Sequence, residues 1–140
     1  MLLCVANCIA MMYFVPMVLQ EAIHNATTRV SLESSLATAM EEMPKNVPVM
    51  MSLTNHVGAV PIAGRTLASM ISENDDQTWQ LALNDPAHHA AYVIALVGDP
   101  VDKAVTAHPQ GLSEIEVICT TGQPCAHIYQ SQLWTPAAAK

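Results

Sequence analysis

The chain has 140 residues, of which 51% are apolar and only 12% charged, and its formal net charge is −7. That length holds one domain of ordinary size, with enough apolar content for a core. The acidic balance removes the long-range attraction on which a nucleic-acid partner depends, so no such partner is expected.

Met1 to Leu19 carry no charged side chain. A helix crossing the hydrocarbon core needs about 20 mostly apolar residues at about 1.5 Å each, and this stretch meets that length. A secretory signal would begin with basic residues, whereas no Lys or Arg precedes Arg29. A helix packed in a soluble domain would show a polar face; here only Asn7 and Tyr13 interrupt, and Pro16 bends the segment near its end. A transmembrane helix over residues 1–22 is therefore the leading expectation, ahead of a soluble core helix and a cleaved signal. Membrane lipid is its first partner. Cys4 and Cys8 read as small apolar residues of that helix.

Gln20 to Arg29 reads as a polar exit, and Ser31 as the N-cap of a helix. Leu32, Leu36, Ala39, Met40 and Met43 follow at helical spacing until Pro44 ends the pattern. Val47 to Leu53 is an apolar run that fits a strand buried on both faces. After the apolar stretch Val57–Ile62 and the turn residues Gly64 and Arg65, Leu67 to Ile71 is a candidate second strand. Glu73 to Asp76 place acidic and capping residues before Trp79, Leu81, Ala82 and Leu83, a short helix that Pro86 closes.

Tyr92 to Val97, reading YVIALV, is the strongest strand signal, and Gly98 ends it. Asp99 and Pro100 form an N-cap and N1 pair for a helix through Ala107, with Val101, Ala104 and Val105 facing inward. HPQG stops that helix. Ile115–Cys119 and Ala126–Tyr129 flank TTGQP as a hairpin. The expected fold is a small three-layer α/β domain over residues 23–131, its sheet partly parallel and closed by a C-terminal hairpin. Residues 132–140 read as a flexible tail.

Site chemistry is sparse. Cys119 and Cys125 flank the hairpin turn, and the spacing admits either a disulfide, which suits an extracytoplasmic compartment, or two reduced thiols. Six histidines lack the companions of a metal site: His88 and His89 are adjacent, so they point in different directions, and neither HExxH nor a Cys/His set occurs. GxSxG, GxGxxG and the Walker loop are absent. No metal, cofactor or catalytic residue is assigned.

Two loops carry ligand-binding candidates. NHVGAVPIAGR, Asn55 to Arg65, follows the first strand at its carboxyl end, where open α/β sheets bind ligands. Asp99 follows YVIALVG and lies on the same edge if the strands are parallel. His56, Arg65, Glu73 and Asp99 would then converge on a polar groove. Turns, a helix cap and a surface ion pair already account for the same residue types and are the leading reading of them.

The order of segments carries a resemblance. An apolar helix precedes SLESSLATAMEEMP and VPVMMSLTNHVGAVPIAG; TWQLALNDPAHHAAYVIALVGDPVDKAV, HPQGL and IEVICTTGQPCAHIY follow. This order resembles the C-terminal region of bacterial multi-pass glycosyltransferases of the protein mannosyltransferase type, with the family 39 and ArnT-like enzymes as relatives. The likeness spans the chain to Tyr129 and rests on segment order, not on a catalytic motif. It implies an inner-membrane location, an extracytoplasmic domain, and the remaining membrane helices of a parent transferase as partners. Such enzymes transfer a sugar from a polyprenyl phosphate carrier, using acidic residues in a loop near their first membrane helices. Nothing in this sequence matches that loop, so the resemblance implies an accessory domain or a fragment without transfer activity of its own. Met1 then reads as an internal residue of something longer. The alternatives are an independent single-pass protein whose α/β domain binds a small ligand or a partner, and a small soluble enzyme.

Overall fold

The computed structural model describes residues 17–136. Helix α1 (Met17–Glu42) leads into strand β1 (Val49–Met51), followed by a short helix α2 (Ala59–Ile62), one 3-10 turn (Leu67–Ser69) and strand β2 (Met70–Ile71). Helices α3 (Asp76–Asn84) and α4 (Pro86–His89) come next, then strand β3 (Tyr92–Leu96) and helix α5 (Pro100–Ala107). The hairpin strands β4 (Leu112–Ile118) and β5 (Ala126–Ser131) complete the fold.

The five strands form one mixed sheet in the order β2-β1-β3-β5-β4. β1 lies between β2 and β3 and is parallel to both, whereas β5 runs antiparallel to β3 and β4. Alternation along the strands distributes side chains between two cores. Val49, Met51, Ile94 and Leu96 join Leu32, Leu36 and Met40 of α1 and Ala59 and Val60 of α2 on one face. Met50, Val93 and Ala95 join Trp79 and Ala82 of α3 and Val101 and Val105 of α5 on the other. The expected mixed α/β domain, with a partly parallel sheet and a C-terminal hairpin, is observed. The parallel strands are buried on both faces, so they read as continuous apolar runs.

Five local expectations are corrected, and the membrane helix falls largely outside the described residues. Residues 1–16 of the expected membrane helix lie outside the described residues, and among the described residues no helix is long and apolar enough to cross a membrane. The polar exit at Gln20–Arg29 is not a break, because α1 runs through it without interruption to Glu42. No Pro or Gly stands between Met17 and Met43, and the hydroxyls of Thr27, Ser35 and Thr38 are taken up by carbonyls four residues earlier and so do not compete for the helix's own N–H groups. Ser31 is consequently a mid-helix residue whose carbonyl receives the Ser35 hydroxyl.

The second strand is shorter than Leu67–Ile71, since its first residues wind into the 3-10 turn. Pro86 opens α4 instead of only closing α3: Asp85 accepts the His88 N–H, and a proline at the first helical position has no N–H to leave unpaired. Residues 132–134, read from the sequence as the start of a flexible tail, are tied to the domain: Gln132 N–H donates to Gly111 O, and the N–H groups of Leu133 and Trp134 donate to Ser131 Oγ.

Candidate functional site

Because β1 and β3 are adjacent and parallel, the loops after them leave the same edge of the sheet. From β1 the chain passes to α2 on the α1 face; from β3 it passes to α5 on the opposite face. Two neighbouring parallel strands whose connections diverge in this way leave a crevice between their carboxyl ends, the position where open α/β sheets bind ligands. A cavity of about 120 Å³ lies there, and Ser52, Thr54, Asn55, His56, Asp99 and Pro124 are in its wall. A larger cavity of about 470 Å³ shares Asn55, His56 and Pro124 with it and runs beside Ala22, Asn25 and Arg29 of α1.

His56 is only 7% exposed. Its backbone is held in the turn after β1, with its N–H on Leu53 O (3.1 Å) and its carbonyl accepting from Ala59 N–H (3.1 Å). Its Nδ1 is buried without a hydrogen-bond partner. Burial holds the imidazole below its ordinary proton affinity; the Glu33 carboxylate works in the opposite direction and Arg29 adds to the lowering. Glu33 is itself buried on α1 and fits closely against the loop, where a Cβ at Gly58 would stand 2.6 Å from its Oε2. A side chain at 58 would have to displace the Glu33 carboxylate.

Asp99 performs the capping role expected of it. Its Oδ1 accepts from Asp102 N–H at 2.7 Å at the start of α5. Its other oxygen, Oδ2, is buried and has no partner. Burial raises the carboxyl above the usual carboxylate range, against the backbone hydrogen bonds that favour its charge. His56 Nδ1 and Asp99 Oδ2 therefore form a pair of desolvated, unsatisfied atoms on residues lining one cavity. Such atoms are rare in folded proteins and need an explanation.

Glu73 lies at the same end of the sheet but is already satisfied. Its carboxylate accepts from Leu53 N–H (3.0 Å) and from the Thr54 hydroxyl (2.6 Å), which ties the end of β2 to the loop after β1. Burial opposes its charge, yet these bonds outweigh burial and hold the carboxyl below its ordinary value. It supports the loop that carries His56.

Arg65 lies away from the crevice. Only 6% exposed, its guanidinium donates to Met40 O, Met43 O, Pro44 O and Val47 O, at 2.8 to 3.4 Å. It closes the carboxyl end of α1, where unpaired carbonyls and the helix dipole both favour a cation. Of the four candidates, then, two meet at one cavity, one braces it and one belongs to another part of the fold.

The sequence reading also omitted residues of the site. Asn55, Ser52 and Thr54 stand beside His56 through the chain itself, whereas Pro124 and Gln123 arrive from the hairpin turn. The only local signal of the latter is their place between two cysteines. Cys119 and Cys125 form a disulfide, with Cα atoms 4.3 Å apart. Among the described residues no group of three His, Cys, Asp or Glu side chains converges as a metal site. His88 and His127 instead pair with Asp85 (2.9 Å) and Glu114 (2.7 Å).

No protein-family model, curated protein or solved structure matches this chain.

Proposed function

We propose that the chain is a ligand-binding, extracytoplasmic accessory domain of a polyprenyl-phosphate-sugar-dependent glycosyltransferase, held at the inner membrane through Met1–Leu19. The observation that carries the reading is the crevice at the carboxyl ends of β1 and β3, where His56 Nδ1 and Asp99 Oδ2 are buried without partners. An unmade hydrogen bond at a buried atom costs about 1–3 kcal/mol, and a ligand that enters the crevice and parts the groups covering these atoms would recover it. Burial disfavours charge on both groups, so a neutral ligand with hydroxyl groups, such as a sugar or a hydroxyl-bearing acceptor, suits the site. The domain positions that ligand; the transfer step belongs to a loop that this sequence lacks.

Two further features support the setting. The Cys119–Cys125 disulfide suits an oxidising compartment, and the uncharged run Met1–Leu19 has the length of a membrane span. A second reading, an independent single-pass protein that binds a small ligand, rests on the same crevice without the parent transferase.

The test is a titration of the full chain in detergent micelles with a polyprenyl-phosphate-linked hexose and, separately, with the free hexose, followed through the His56 ring resonances. Binding should shift those resonances, and His56→Leu should abolish it. Perturbation by the free hexose alone favours the independent module, and no perturbation by either probe removes both readings. Cell fractionation tests the anchor: recovery of the full chain in the soluble fraction overturns it.

A further inference from the structure

The crevice has a wall that differs from the rest of the site. Its floor and sides are the ends of β1 and β3, embedded in the sheet, but Pro124 reaches it from the loop between β4 and β5, and Gln123 of that loop lines the larger cavity adjoining it. The last paired residues of that hairpin are Ile118 and Ala126. Beyond them the loop is held by few ties. Gln123 N–H donates to Thr120 O at 3.0 Å within the turn, and Gly122 takes a left-handed φ of 77° there. Gln123 Nε2 donates to Thr28 Oγ1 of α1 at 3.1 Å, and Val97 N–H donates to Cys125 O at 3.0 Å. The remaining tie is the covalent bridge between Cys119 and Cys125. Cys119 is exposed and Cys125 half-buried, so the bridge is within reach of a reductant.

We infer that the Cys119–Cys125 loop is a redox-operated wall of the crevice: a dithiol reductant opens it, exchange with a disulfide oxidant that leaves as its dithiol closes it, and access to His56 follows the thiol state of the chain. The inference rests on reading the crevice as a binding site and adds a control to it. In the opening step the reductant's two thiols supply two electrons and two protons. The S–S bond breaks, Cys119 and Cys125 become thiols, and the reductant leaves as its own disulfide. The freed loop then has only its hydrogen bonds to hold Pro124 against the crevice, and water enters beside His56.

The experiment follows the His56 ring by NMR through a pH titration of the full chain in detergent micelles, oxidised and then reduced with dithiothreitol. Circular dichroism reports on the fold. Reduction should move the His56 midpoint up toward the ordinary imidazole range as its desolvation is relieved. Gln123→Ala keeps the bridge but cuts the tie to Thr28, and should move the midpoint the same way by less. A midpoint that stays unchanged in both the folded reduced chain and Gln123→Ala overturns the inference. If the reduced chain unfolds, Gln123→Ala decides alone, and its unchanged midpoint is the overturning result. The readout needs no ligand, so the two readings fail separately. A midpoint that moves while no hexose binds leaves the wall and removes the binding reading; hexose binding with an unmoved midpoint does the reverse.

Discussion

His56 and Arg65 stand at the two ends of one loop segment, and they are buried almost equally, 7% and 6% exposed. Their surroundings are opposite. Arg65 spends its donors on four backbone carbonyls at the end of α1, whereas His56 leaves Nδ1 unpaired beside a cavity. A buried polar side chain with all its partners inside the fold is part of the fold's own construction. One that lacks a partner, at a crevice between diverging parallel strands, is left unexplained by the fold's own hydrogen bonds. The difference separates structure from site better than residue type does.

If this contrast is sound, Arg65→Ala should produce the largest effect. It strands the carbonyls of the last turn of α1, and a loss of about 3 kcal/mol in denaturant unfolding is expected. Arg65→Lys should recover little of this, because a single ammonium cannot reproduce the planar fork across four acceptors. Equal stability of wild type and Arg65→Ala would dissolve the contrast from the Arg65 side.

Glu73→Gln should cost about 1 kcal/mol at neutral pH, through weakened bonds to Leu53 N–H and Thr54. Its carboxyl is held below the ordinary value in the fold, so its contribution is present above the unfolded pKa and is lost as pH falls through the folded one. The difference between variant and wild type should therefore shrink in acid unfolding curves.

His56→Leu should change stability at pH 7 by less than about 1 kcal/mol, since no internal hydrogen bond of Nδ1 is removed. Its folded proton affinity lies below the unfolded one. The wild type should therefore lose stability as pH falls from about 6.5 toward the folded value, and the variant should lack this component. A wild-type slope no steeper than the variant's would show that burial of His56 carries no electrostatic cost.

Asp99→Asn should show the smallest effect, with the sign reversed. Asparagine still caps α5, and the substitution removes a carboxylate whose charge burial opposes. Because the folded pKa is raised, the aspartate's charge costs stability as pH rises through the unfolded pKa toward the folded one. A gain of a few tenths of a kcal/mol at neutral pH, vanishing in acid, is expected for a group this accessible. Destabilisation at pH 7 would mean that Oδ2 has a partner and that the pair in the crevice is not open.

Much of the architecture is legible in the residues themselves. YVIALV announces β3, Asp99 and Pro100 announce the start of α5, and the spacing of Leu32, Leu36 and Met40 announces the buried stripe of α1. These are local signals, set by alternation, by caps and by the period of the helix. Ser31 as a helix start is a misreading, and Pro86 as a helix end is only half of its role, because each residue type serves two purposes. A serine caps a helix or folds its hydroxyl back within one, and a proline stops a helix or opens the next.

The candidate site was legible only in outline. That the loops after β1 and β3 matter followed from their place after two apolar strands, given parallel pairing. By itself the sequence determined that one mixed α/β domain forms and that His56 and Asp99 sit at strand ends, since both depend on short-range pattern. Only the tertiary structure decided that these two share a cavity, that Arg65 closes a helix elsewhere, and that the disulfide loop supplies the third wall. Those outcomes depend on which strands become neighbours and on which hydrogen bonds are already taken, and both are set by contacts between residues distant in the chain.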